Sequence, residues 1–214
     1  MSKLSELIAV AKDIRPLFES FDVKPVAGGI LASEMLLFLA AVKYHGIRNV
    51  IESGRRNGYS TAILGECIER CKLLSVASIE IDPIESVDDA LEMKYRHLAL
   101  VKGDGEREVP KMYARMSLPT ALLLDGPKGP KAANLADRCN PPLFAIHDCH
   151  RWHEGGVENP WRKEAERRYP NAIFSDDDLW LEEFCDLDRD HWKKDYSSRS
   201  EMTAAGFTLM VVAK

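Results

Sequence analysis

The chain of 214 residues has no run approaching 18 apolar residues, so no segment reads as a membrane-spanning helix. It has no basic surplus. Lys and Arg total 29 against 34 Asp and Glu, a net charge of -5, which disfavours a large nucleic-acid face. The five cysteines (67, 71, 139, 149, 185) are odd in number and irregular in spacing. That excludes a regular disulfide framework and predicts free thiols in a reducing, cytoplasmic setting. Residues 1–11 lack the basic region, apolar core and small-residue cleavage site of a signal peptide. No internal repeat, low-complexity tract or linker is present. The dinucleotide loop G-x-G-x-x-G and the phosphate-loop lysine are missing as well.

The bulk composition is ordinary, with 45% apolar and 29% charged residues, which fits a folded globular chain. The length suits one well-packed domain and not two. One feature is uneven: all four tryptophans and four of the six histidines lie between His147 and Trp192.

Residues 2–21 place Leu4, Leu7, Ile8, Ala11, Ile14, Leu17 and Phe18 at helical spacing, with Pro16 as a predicted kink or break. Ser33 and Glu34 open a strongly apolar helix that ends near Gly46. Its apolar surface suits burial against a sheet or a homodimer interface equally. From Asn49 the pattern alternates. Apolar runs at 49–52, 74–79, 98–101, 121–124 and 143–146 are separated by helical stretches at 60–71, 84–95, 107–116 and 131–139. A last run covers 207–212. This predicts an α/β domain built on a doubly wound, mostly parallel sheet with an N-terminal helical extension. Its parts are the helices of 1–46, a ligand-binding core at 47–148 and a variable region with the closing strand at 149–214. Ligands of such sheets sit beyond the carboxyl ends of the strands, so the residues that end each run carry the information.

The first run ends in Glu52-Ser-Gly54-Arg-Arg-Asn-Gly58-Tyr59-Ser60. Gly54 permits a sharp turn, Gly58 a close approach of backbone to ligand, and Ser60 a helix cap. A carboxylate at Glu52 suits a cationic or hydroxyl-rich ligand. The second run ends in Ile79-Glu80-Ile81-Asp82-Pro83, an acid where ribose hydroxyls lie in nucleoside sites. These two motifs in order resemble class I S-adenosylmethionine-dependent methyltransferases, which share a Rossmann-like sheet. The first loop, E-x-G-x-x-x-G-Y-S, is similar to that of the catechol O-methyltransferase-like branch. The resemblance covers about residues 49–148 and the closing strand. It implies that Glu52, Gly54, Gly58, Tyr59 and Ser60 lie around the methionine part of S-adenosylmethionine. It implies that Glu80 accepts hydrogen bonds from the ribose, and that Asp104 lies beside the adenine.

The fourth run ends in Asp125-Gly-Pro-Lys128-Gly129 and the fifth in His147-Asp148-Cys149-His150-Arg151-Trp152-His153-Glu154. Adjacent parallel strands bring Asp125 and Asp148 to one rim, where two carboxylates suit a hard divalent ion such as magnesium. Such an ion would lower the pKa of an acceptor hydroxyl. Asp125 and Lys128 resemble the catechol-like branch's Asp-x-x-Lys, a metal ligand and a base. Its Asp-Asn ligand pair reads Asp148-Cys149 here, and a soft thiol suits magnesium poorly. Asp125-x-Pro127-Lys128-Gly129 and His147-Asp148-x-x-Arg151-x-x-Glu154 also resemble glucuronoxylan 4-O-methyltransferases locally, which favours a sugar or other polyol hydroxyl as acceptor. Lys128 or His147 is the expected base, with Asp125 and Asp148 orienting the acceptor or holding metal.

His147, His150 and His153 lack the spacing and cysteine partners of a zinc site. Arg151 and Glu154 suit a pair at i, i+3. Residues 161–168 read as an exposed helix of mixed charge. The acidic segment around residues 176–183 reads as a solvated face anchored by tryptophans, or as an aromatic lid over the acceptor. The expected function is methyl transfer to a small-molecule or saccharide hydroxyl, with neither nucleic acid nor membrane as partner. The alternatives are a non-catalytic adenosyl-binding module and a dinucleotide-dependent oxidoreductase.

Overall fold

A computed structural model of the protein describes residues 3–26, 29–71, 73–151, 158–189 and 208–214. Within these residues the fold follows the predicted alternation. Strands β1 (Asn49–Ser53), β2 (Ser75–Glu80), β3 (Leu98–Lys102), β4 (Thr120–Leu124) and β5 (Leu143–Ile146) are parallel. Strand β7 (Met210–Ala213) runs antiparallel between β5 and the short β6 (Ile173–Phe174), giving the order β3-β2-β1-β4-β5-β7-β6. The order reverses at β1 and β4, and a doubly wound sheet opens its ligand crevice at such a point. The fold is the doubly wound, Rossmann-like α/β class expected from the sequence.

Strand periodicity divides the core in two. Val50, Leu123 and Ala145 face one helical layer, whereas Ile51, Leu122, Leu124, Phe144 and Ile146 face the other. The first layer holds α1 (Lys3–Glu19), α2 (Ala32–Tyr44), α3 (Tyr59–Arg70), α4 (Glu85–Lys94) and α8 (Asp178–Phe184). The second holds α5 (Gly105–Tyr113), α6 (Gly129–Cys139) and α7 (Pro160–Arg168).

Several elements depart from the expectation. Pro16 lies inside α1 without ending it. Helix α2 is buried at every residue from Ala32 to Val42, against α1, β5 and β7, so its apolar surface is spent within the chain. Helix α7 is not simply exposed: Trp161, Arg162 and Ala165 are buried. The acidic segment is partly interior. Trp180 is fully buried with its ring 4.3 Å from that of Phe184, and Arg162 pairs with the partly buried Asp176 at 3.0 Å. Trp161 is also buried, its indole N–H donating to Cys149 Sγ at 3.4 Å. Both described tryptophans are therefore core residues and not a lid. Trp152, His153, Glu154 and Trp192, and with them the Arg151–Glu154 pair, lie outside the described residues. All five cysteines are free thiols. No helix among the described residues is long and apolar enough to cross a membrane.

Candidate functional site

The carboxyl ends of β1, β2, β4 and β5 enclose two adjoining cavities of about 550 and 510 Å³, a size that suits small-molecule ligands. Gly54, Glu80, Gly126 and Lys128 line both. The larger adds Tyr59, Ser60, Asp125, His147 and Asp148, and the smaller adds Asp104.

On the β1–β2 side the backbone does the positioning. Ser53 O accepts from Asp125 N at 2.8 Å and Gly126 N at 2.6 Å, which joins the ends of β1 and β4. Gly54 has φ +99°, and a Cβ there would sit 2.4 Å from Gly126 N, so only glycine fits. Glu80 accepts the amides of Arg55 at 2.9 Å, Arg56 at 2.8 Å and Asp82 at 3.2 Å. Partial burial would raise its pKa, but these backbone donors hold it below the ordinary value. The loop is anchored from inside by Arg55, which is buried. Its guanidinium grips Asp88 on α4 bidentately at 2.7 and 2.8 Å and donates to Ser78 O at 2.7 Å. Nothing in the local sequence distinguishes Arg55 from Arg56, so this anchor was not expected.

Two expected cavity residues stand behind the wall. Glu52 is fully buried, and its carboxylate accepts hydrogen bonds from Ser60, Thr61 and Ser78. Burial raises its pKa against those donors. The reason is packing: Glu52 projects beneath the first turn of α3 and fixes that turn. Ser60 accordingly spends its hydroxyl on Glu52 and does not cap the helix. Gly58 takes the left-handed N-cap position of α3 at φ +78°. A Cβ there would lie 2.7 Å from the Val87 side chain, so helix packing itself requires this glycine. Asp104 caps α5 by accepting from Glu106 N at 2.9 Å, while remaining in the wall of the smaller cavity.

The β4–β5 side is held by side chains. Lys128 Nζ lies 2.5 Å from Asp125 Oδ1 and 2.7 Å from Asp148 Oδ2. His147 Nδ1 lies 2.8 Å from Asp125 Oδ1 and 3.2 Å from Asp148 Oδ1. Its other nitrogen lies 3.3 Å from Glu34 Oε2, on α2. Glu34 is buried. It accepts from Leu31 N at 2.7 Å and Ser175 Oγ at 3.3 Å, which fixes its carboxylate. Close by, Asp188 accepts from Ser33 N at 2.9 Å, and burial raises its pKa to about 7. Asp148 adopts φ +60°, a left-handed conformation that Asp tolerates better than most residues.

These distances shift the pKa values in opposite directions. Burial would lower the His147 pKa, but Glu34 and Asp125 push it up to about 10. Burial would raise Asp125, but His147 and Lys128 hold it far below the ordinary carboxylate range. Lys128 is raised by Asp125 and Asp148 against its own burial. The surrounding carboxylates favour the charged forms of both Lys128 and His147.

Asp125, His147 and Asp148 form the one group of three metal-type ligands among the described residues; His150 does not join it. A divalent ion does not fit this group as it stands. Lys128 already sits between the two carboxylates, and both ring nitrogens of His147 already face carboxylates. Cys149, aligned with the catechol-like branch's third ligand, is fully buried. Its Sγ faces Ile146 O and Trp161, and burial raises its thiol pKa to about 12. In this arrangement Asp125 and Asp148, the expected metal ligands, are both ion-paired with Lys128.

No protein-family model and no curated protein matches the chain. Similar solved structures include an O-methyltransferase from Bacillus cereus in complex with SAH, 15% identical with a TM-score of 0.49 over 96% of this chain and 91% of that one. They include the SAH-bound methyltransferase PaMTH1 of Podospora anserina, 11% identical with a TM-score of 0.48 over 97% and 87%. They also include the O-methyltransferase TomG of Streptomyces achromogenes in complex with SAM, 11% identical with a TM-score of 0.47 over 98% and 90%.

Proposed function

We propose that the chain is an S-adenosylmethionine-dependent methyltransferase acting on a hydroxyl of a small molecule or saccharide. The observation that carries this reading is the pairing of Glu80 with the Asp125–Lys128–His147–Asp148 bay across one crevice at the topological switch point. Glu80 is a carboxylate whose negative charge the loop amides preserve, suited to accept two ribose hydroxyls. The opening turn of α3, at Tyr59 and Ser60, favours the methionine carboxylate through the helix dipole. Asp104 stands at the adenine end. The donor, when bound, supplies an electrophilic methyl on a positively charged sulfur.

The chain's own work is then positioning and charge management. Lys128 donates a hydrogen bond to the acceptor oxygen. Asp148, the more exposed of the two aspartates, receives the hydroxyl proton as the new O–C bond forms and the old S–C bond breaks. Asp125 and His147 keep Lys128 and Asp148 in place. The local resemblance at residues 125–129 and 147–154 favours a sugar or other polyol hydroxyl as the acceptor.

The test is thermal stability with adenosylmethionine, adenosylhomocysteine and NAD. A ligand at about 100 times its dissociation constant stabilises by about 2.7 kcal/mol. Stabilisation by the adenosyl ligands is expected. Stabilisation by NAD alone overturns the reading in favour of an oxidoreductase. Transfer of radiolabelled methyl from adenosylmethionine to a panel of polyols and phenols separates an enzyme from a non-catalytic binder.

A further inference from the structure

The bay between β4 and β5 has the outline of a cation site whose cation is part of the chain. Asp125 and Asp148 come from the ends of adjacent strands and turn their carboxylates towards one point. The Lys128 ammonium occupies that point, 2.5 Å from one carboxylate and 2.7 Å from the other. Magnesium or calcium would bind the same oxygens at about 2.0–2.6 Å. The two positions nearly coincide, so the ammonium and a divalent ion exclude each other by size as well as by charge.

The surroundings favour the ammonium. Lys128 is the N-cap residue of α6, at the end of the Gly126-Pro127 turn and directly before Gly129 at φ +54°, so its stem starts from a defined backbone. An ammonium has three donors. Two are committed to Asp125 and Asp148, and the third is left for the cavity that Lys128 lines. Behind the pair, His147 spans Asp125 and Glu34, so both ring nitrogens face carboxylates. A metal would have to take one of those nitrogens or do without a third protein ligand, since Cys149 points into the core.

We infer that Lys128 fills the cation seat between Asp125 and Asp148, so that a tethered ammonium and no divalent ion meets the acceptor oxygen. The seat is a property of the chain alone; only the role towards the acceptor rests on the methyltransferase reading. The ammonium also differs in kind from an ion. It cannot be lost to a chelator, it carries one charge, and it donates a hydrogen bond where a metal would accept an electron pair.

The decisive experiment is Mn²⁺ binding, followed by electron paramagnetic resonance of the free ion and by calorimetry at pH 7.5. The proteins are the wild type, Lys128→Ala, Lys128→Met and the double variant Lys128→Ala with Asp148→Asn. Lys128→Met keeps the length and packing of the stem while removing the charge, and circular dichroism establishes that each variant is folded. The wild type is expected to show no stoichiometric site at micromolar Mn²⁺. Both single variants are expected to open one site, at least about tenfold tighter than any wild-type binding, and Asp148→Asn should remove it again. A micromolar one-to-one site in the wild type would overturn the inference. So would folded Lys128→Ala and Lys128→Met proteins that gain no site. Adenosylhomocysteine is titrated into the same samples. Its failure to bind would remove the proposed methyl-transfer role while the Mn²⁺ result still decides the seat.

Discussion

The two sides of the crevice are built by different means. Around β1 and β2 the wall is backbone: a glycine that admits no Cβ, loop amides on Glu80, and Arg55 bolting the loop to α4 from inside. Around β4 and β5 the wall is a chain of charges from Glu34 through His147 and Asp125 to Lys128 and Asp148. A wall held mainly by backbone has a shape that depends little on pH near neutrality. A charge-paired wall depends on which groups hold protons. The first suits a constant ligand, and the second suits a reaction in which a proton moves.

That contrast can be broken most forcefully at Gly54. Gly54→Ala places a methyl group 2.4 Å from Gly126 N at a positive φ, so a loss of about 3 kcal/mol in urea unfolding is expected. A loss below about 1 kcal/mol would show that the wall yields. Glu80→Ala should weaken adenosylhomocysteine binding by about tenfold or more in calorimetry, since one charge-assisted hydrogen bond contributes about 1.5–3 kcal/mol. Asp125→Ala should abolish turnover yet leave that binding within a few fold, because Asp125 belongs to the other wall. Equal loss of binding in both variants would erase the distinction between the sides.

The pH effects are smaller. His147 has a folded pKa of about 10, above its ordinary 6.5. Its ion pairs therefore stabilise the fold fully below about pH 6.5, and that contribution fades as pH rises through about 10. Thermal melting of His147→Gln against wild type should show a deficit at pH 7 that narrows by pH 10.5. Asp188 has the opposite consequence. Its pKa of about 7 lies above the ordinary 3.8, so the folded state favours the protonated acid. The resulting penalty grows from about pH 4 to pH 7 and is complete above it. Asp188→Asn, which keeps an acceptor for Ser33 N, should raise the melting temperature at pH 8 by about 3 °C and leave it unchanged at pH 4.

The backbone wall was the more legible of the two in sequence. Its glycines and acids follow apolar runs directly, and all five parallel strands lie within a residue or two of their expected positions. Asp125, Lys128, His147 and Asp148 were also visible as strand-end residues. Their protonation was not, because Glu34 supplies a decisive charge from a helix that reads as plain apolar packing. A glutamate three residues after Leu31 looks like a helix-start signal, and it does accept Leu31 N; its contact with His147 depends on tertiary packing 113 positions away. The region of β6, α7 and α8 was misread for a related reason. Its elements are short, and interior charges such as the buried Arg162 and its partly buried partner Asp176 hide the apolar periodicity that marks an interior face.

Helix α2 also changes where the working unit begins. The sequence suggests a core starting near residue 47, with the earlier helices as an extension. Yet α2 covers β5 and β7, places Glu34 against His147 and lends Ser33 N to Asp188. A fragment starting after Gly46 would expose the β5–β7 part of one sheet face and leave the His147 ring with carboxylates on one side only. For anyone trimming, grafting or recombining this chain, the smallest exchangeable piece includes α2.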